Sequence, residues 1–151
     1  MTQLSIDPQS VRALEVERED HAQVLDLATR SVRMGYWIWN PRTSEFDVHG
    51  LRQLFAPDAR TLAAPVPQAR LMDRVYEADR ERVYNTLTNL MRNASTDVID
   101  FDFRAIDPNG ELRKYMSHMR RAQSPHTGEV KVYGVTFDIT ASELARTETL
   151  Y

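Results

Sequence analysis

Side chains able to do chemistry are few in this chain and widely spread. Its four histidines, His21, His49, His118 and His126, fall in a predicted helix, at a strand end, in a strand and in a loop. A nucleophilic triad needs a nucleophile, a base and an orienting group that converge, and no recognisable catalytic motif surrounds any of the four. The His-x-x-x-His metal spacing is absent as well. Asp100 and Asp102 alternate with Phe101 and Phe103, which puts both carboxylates on one face of a strand. Two such groups could divide acid and base roles, but a solvated sheet face accounts for them more simply. The chain has no cysteine. That removes disulfides, thiolate nucleophiles, iron–sulfur clusters and cysteine-type zinc sites together. The expectation is a protein without a catalytic or metal site, not an enzyme, that acts by binding.

Composition narrows what it binds. With 151 residues and 42% hydrophobic side chains, the chain suits one compact domain, with no room for a separate effector. Nineteen basic against 22 acidic residues, a net charge of −3, argue against a nucleic-acid surface. No stretch approaches the length of a membrane span, and Asp7 and Pro8 interrupt any signal-peptide core. These features lead to the expectation of a cytoplasmic protein.

Four kinds of local pattern would position the binding residues. Asp7-Pro8 reads as an N-cap followed by proline at the first helical position. Behind it Val11, Leu14, Leu25 and Ala28 form one stripe, with Arg18 and His21 at its centre. Such a helix could be a short coiled-coil seam or a flap over an exposed sheet. Tyr36–Trp39 and Glu45–Val48 read as two strands joined at Asn40-Pro41, and Gly50–Phe55 as one or two helical turns. Pro57, Pro65 and Pro67 predict an irregular segment.

A second helix is predicted to begin at Asp79 as N-cap, with Val83, Leu87, Leu90, Met91 and Ala94 on its buried face. Three strands follow. In the first, Ile99, Phe101, Phe103 and Ala105 must face the core, because the other parity buries two aspartates and an arginine. Asp107-Pro108-Asn109-Gly110 forms a turn, Leu112–Gln123 is extended, and Ser124–Gly128 breaks it before Val130–Ile139. Thr140 and Glu143 have the spacing of a capping box, so the last strand passes directly into a helix.

This order resembles the PAS family over roughly residues 27–143. The resemblance rests on Gly35-Tyr36-Trp37-Ile38-Trp39-Asn40, Asp79-Arg80, Asp107-Pro108-Asn109-Gly110-Glu111 and Gly134-Val135-Thr136-Phe137-Asp138-Ile139-Thr140. Two positions depart from many relatives: Tyr76-Glu77 stands where His-Pro is common, and Tyr115 where tryptophan is common. The resemblance implies an α+β fold, a five-stranded antiparallel sheet with helices on one face. The domain would span residues 31–140, with a dimerisation helix at 1–30 and the start of a signal-relay helix at 141–151.

The resemblance also implies roles. Carrying over the family's strand register places Met116, His118 and Arg120 on the inner face beside Phe101, Phe103, Val132 and Thr136. Small residues at Ala105 and Gly134 would leave room there for a small hydrophobic or anionic ligand, unless side chains of the long helix fill it. The cofactor is unknown. Haem-binding relatives place histidine on the long helix, which has none here, and cysteine-adduct flavin chemistry has no cysteine to use. Asp138, Ile139, Thr140 and Glu143 would relay a signal to a histidine kinase, a cyclic-dinucleotide enzyme or a separate partner. Val11, Leu14 and Leu25 would hold a homodimer. A ligand-free interaction adaptor on the same fold is the alternative.

Overall fold

The computed structural model describes residues 7–31, 33–50, 65–93 and 97–149. Helix α1 runs Pro8–Ser31, and the Asp7 carboxylate accepts the Gln9 amide at 3.2 Å, as the N-cap reading requires. Strands β1 (Met34–Asn40) and β2 (Glu45–His49) form the expected hairpin. At its turn Asn40 Oδ1 accepts the Arg42 amide at 3.0 Å. The expected helical turns at 51–55, Pro57 and Ala94 lie outside the described residues.

The proline-flanked stretch holds more order than its composition suggested. Val66–Pro67 forms β3 and Gln68–Met72 forms α2. A two-residue strand ending in proline is tolerated because it is an edge strand paired only with β2. Helix α3 (Glu77–Arg92) begins two residues before the predicted cap. Strands β4 (Ile99–Ile106), β5 (Leu112–Gln123) and β6 (Val130–Asp138) form the meander, and α4 (Thr140–Thr149) leaves β6 after a single residue.

All six strands pair antiparallel in the order β3-β2-β1-β6-β5-β4. The sheet therefore has six strands rather than the expected five, the addition being β3. Its inner face carries the core with α2 and α3 over it. Val83, Leu87 and Leu90 of α3 are buried against Trp37, Phe103 and Met119, while Met91 packs at the edge of this cluster. The spacing of the apolar residues on α3 thus describes its buried face correctly.

Candidate functional site

The sheet's inner face follows from its register. Residues directly opposite each other in an antiparallel pair share a face, so inward Phe101 and Phe103 bring Ser117 and Tyr115 inward with them. The next pairing puts Ser117 opposite Thr136, and Met119 opposite Gly134. This corrects the expected register of β5 by one residue. Met116, His118 and Arg120 lie on the outer face, because a one-residue shift turns every side chain of a strand over. There His118 Nδ1 bonds to Asp100 Oδ1, its cross-strand neighbour, and its ring stands 5.3 Å from that of Phe137. A ligand held jointly by Phe101, Met116, His118 and Arg120 is therefore incompatible with the sheet.

The inner face does hold a pocket, of about 60 Å³. Trp37, Phe46, Val48, Phe103, Ser117 and Thr136 contribute to its floor, with Phe101 at one side. Leu71 and Met72 of α2 and Val83 and Leu87 of α3 form the facing wall, and Arg74 and Val75 complete the lining. Of the expected ligand-binding residues, Phe101, Phe103 and Thr136 line this pocket. Val132 points inward and is fully buried, but it packs in the core outside the lining. The room expected above Gly134 is occupied by the Trp37 indole, and Ala105 is fully buried, with Val75 bridged to it along the free edge of β4.

One polar chain crosses the pocket floor. Trp37 Nε1 donates to Thr136 Oγ1 at 2.9 Å, and Thr136 Oγ1 and Ser117 Oγ lie 2.6 Å apart. Both hydroxyl residues are almost wholly buried. Sequence reasoning missed Trp37 and Ser117 as site residues. The signal that finds Ser117 is the symmetry of the β4–β5 pairing about Asn109, which fixes the register of both strands.

A second polar group joins β6 to α4. Asp138 Oδ2 accepts from Arg113 Nε at 2.6 Å, and Oδ1 accepts the Thr140 amide at 2.9 Å and its hydroxyl at 2.6 Å. Burial pushes the Asp138 carboxyl up, but these hydrogen bonds outweigh it and hold the group below its ordinary value. The same partner raises the already high pKa of Arg113. The Thr140 hydroxyl also accepts the Lys114 amide at 2.8 Å, and the Ile139 amide donates to the Lys114 carbonyl at 2.9 Å. The expected capping box is thus replaced by a tie across to β5. Because α4 starts at Thr140 itself, the Glu143 amide bonds to the Ile139 carbonyl, and the Glu143 carboxylate reaches Lys114 Nζ at 3.5 Å.

Asp79 is not an N-cap. It is buried in the first turn of α3 and accepts the Arg104 amide at 2.8 Å, Nε at 3.0 Å and Nη2 at 2.8 Å. The Arg104 guanidinium holds its carboxyl down at about 2, against an opposing push from burial. Tyr76 takes the cap position without a side-chain bond, and Arg104 covers its ring at 4.6 Å.

Helix α1 touches the sheet mainly at its end, where Thr29 is buried near Gly50. Val11 is half-buried, whereas Leu14 and Leu25 are 56% and 47% exposed and so present an unpartnered apolar stripe. Among the described residues, no group of three or more His, Asp or Glu side chains could hold a metal ion. Nor is any described helix long and apolar enough to cross a membrane.

No family model matches the sequence, and no curated protein does. Solved structures do. The chain is similar to a sensory box histidine kinase/response regulator from Burkholderia thailandensis E264, with a TM-score of 0.62 and 18% identity, covering 82% of this chain and 90% of that one. It is similar also to the PAS domain of a Colwellia psychrerythraea protein, with a TM-score of 0.59 and 14% identity over 82% of this chain and 97% of that one. The chain has the PAS fold. A further PAS neighbour is the N-terminal domain of a diguanylate cyclase with PAS/PAC sensor from Marinobacter aquaeolei (TM-score 0.54, 19% identity, 73% of this chain and 98% of that one). Within the PAS fold of this chain, the pocket and the Asp138–Thr140 junction share one strand, β6.

Proposed function

We propose that this PAS domain is a sensory module without catalytic activity of its own. A small ligand enters between the sheet and α2/α3, and the state of the pocket is passed through Asp138 and Thr140 to α4. The observation that carries this reading is the position of Thr136. It lines the pocket, and two residues further along β6 Asp138 fixes the first residue of α4. A ligand can shift such a module only by binding one arrangement of strand and helix better than the other.

The pocket's size and lining limit what enters. Its volume is below half the roughly 150 Å³ of an apolar cavity that takes benzene, so the fitting ligand is a small one. Helix α1 would pair two copies through Val11, Leu14 and Leu25. The output would be a histidine kinase, a cyclic-dinucleotide enzyme or a separate partner protein, in keeping with the proteins from which the PAS neighbours come. The exposed α1 stripe favours a second reading, an adaptor that binds a protein and leaves the pocket empty.

Xenon separates the two, since it occupies apolar cavities without needing a polar contact. The expected result under xenon pressure is a saturable shift of the Trp37 indole N–H in a ¹H–¹⁵N spectrum. A spectrum that does not respond removes the sensor reading and leaves the adaptor.

A further inference from the structure

The polar chain on the pocket floor has one proton too many. Trp37 Nε1–H, the Ser117 hydroxyl and the Thr136 hydroxyl are three donors. Trp37 donates to Thr136, and one of the two hydroxyls donates to the other. If Thr136 donates, the Ser117 proton is left over; if Ser117 donates, the Thr136 proton is. Either way one O–H has no acceptor among the described residues, in a position where Ser117 is 1% and Thr136 is 2% exposed. A buried donor without an acceptor is costly, and both hydroxyl residues line the pocket.

We propose that the ligand of this pocket carries one uncharged hydrogen-bond acceptor, a carbonyl or ether oxygen, that takes the surplus proton of the Ser117–Thr136 pair. This rests on reading the pocket as a ligand site. The acceptor is neutral because the floor and the facing wall are apolar apart from the two hydroxyls, and an anion there would lose its hydration without a counter-charge. Among the described lining residues Arg74 is the one cation that could supply it, and it defines the competing chemistry. The remainder of the ligand is a short hydrocarbon, matched to Phe101, Leu71 and Val83.

Three probes of nearly equal shape and four heavy atoms each test this on the whole 151-residue chain: propan-2-one, 2-methylpropene, in which CH₂ replaces the carbonyl oxygen, and acetate, in which O⁻ replaces a methyl group. Each is titrated while the Trp37 indole N–H is followed, assigned with the help of Trp39→Phe. The expected result is that propan-2-one binds about tenfold more tightly than the alkene and more tightly than acetate. The triple variant Trp37→Phe/Ser117→Ala/Thr136→Val also removes the indole N–H that would otherwise lose its Thr136 acceptor and offer itself to the ketone; followed at the Gly134 amide, it is expected to abolish the preference for the ketone. Equal affinities in the unaltered chain overturn the acceptor proposal while leaving the pocket a ligand site. Tightest binding by acetate, lost in Arg74→Gln, overturns it in favour of an anionic ligand. No binding by any probe removes the ligand site and the proposal together.

Discussion

The Trp37 indole occupies the space that a side chain at Gly134 would fill. A Cβ built on Gly134 would come within 2.1 Å of indole carbons Cε2 and Cζ2, far inside any tolerated contact. The two residues are cross-strand partners of β1 and β6, and the missing side chain lets the indole lie across the strand and reach Thr136. Glycine is required here for space and not for backbone conformation. Gly134→Ala is expected to cost about 3 kcal/mol or more, the upper end of overpacking penalties. Urea denaturation checks this, and a stability equal to that of the unaltered chain would mean that the indole does not occupy this position.

Asp79 and Arg104 tie the start of α3 to β4, and their contribution depends on pH. A carboxylate held at about 2 in the folded chain, against an ordinary value of 3.8, favours folding once it is ionised. The contribution is about 2 kcal/mol, complete above roughly pH 5 and lost as the pH falls from about 4 to about 2. Asp79→Asn is therefore expected to destabilise the domain by about this amount at pH 7 and by much less near pH 2.5. Denaturation curves at the two pH values measure the difference. A penalty that is independent of pH would assign the effect to packing.

Tyr115 is a buried aromatic whose hydroxyl has no partner among the described residues, although its ring stacks on Phe103 with centroids 5.6 Å apart. Burial raises its pKa to about 12, with the nearby Asp138 carboxylate adding to the effect. Removing an unsatisfied hydroxyl while keeping the ring costs nothing in packing. Tyr115→Phe is expected to leave stability unchanged or raise it by about 1 kcal/mol. A loss of more than that in thermal or chemical denaturation would reveal a bond made by the hydroxyl in solution.

Leu14 and Leu25 provide the check on assembly. Replacing both with glutamate removes apolar surface that is already exposed, so the isolated domain should keep its fold. Light scattering is expected to show a dimer for the unaltered chain and a monomer for the variant. A variant of unchanged mass would place any dimer contact elsewhere.

Much of this arrangement can be read from residue spacing, and the exceptions have physical causes. The α3 stripe and the alternation of Ile99, Phe101, Phe103 and Ala105 report their buried faces directly, because burying the opposite residues would strand charges. Strand β5 offers the same contrast in weaker form. Facing Met116, His118 and Arg120 inward would bury a histidine and an arginine, whereas Tyr115, Ser117 and Met119 carry no charge, and the register carried over from the family overrides that signal. The turn agrees with the uncharged set: Ile106 and Leu112 close a loop centred on Asn109, and counting outward from it pairs Phe103 with Tyr115. Asp79 misleads for a related reason. Its residue type suits an N-cap, but its carboxylate is engaged by a residue 25 positions away, and no local pattern records that. The residues of β3 and α2 sit among prolines, which normally mark irregular backbone, and they are ordered through pairing with β2.

Thr140 is the tie between β5, β6 and the first turn of α4. Thr140→Ala removes the acceptor of the Lys114 amide and the hydroxyl bond to Asp138, at an expected cost of about 1 kcal/mol. Amide exchange at residues 140–144 should quicken, with α3 unaffected. Uniform quickening would assign Thr140 to general stability.

The central claim, that the state of the pocket is felt by α4, is tested by amide hydrogen exchange along α4 with the pocket filled by xenon and empty. Exchange at residues 140–144 is predicted to change on filling in the unaltered chain, and to lose that response in Thr140→Ala. Filling the pocket with no change anywhere in α4, while the Trp37 indole N–H still reports occupancy, would contradict the account.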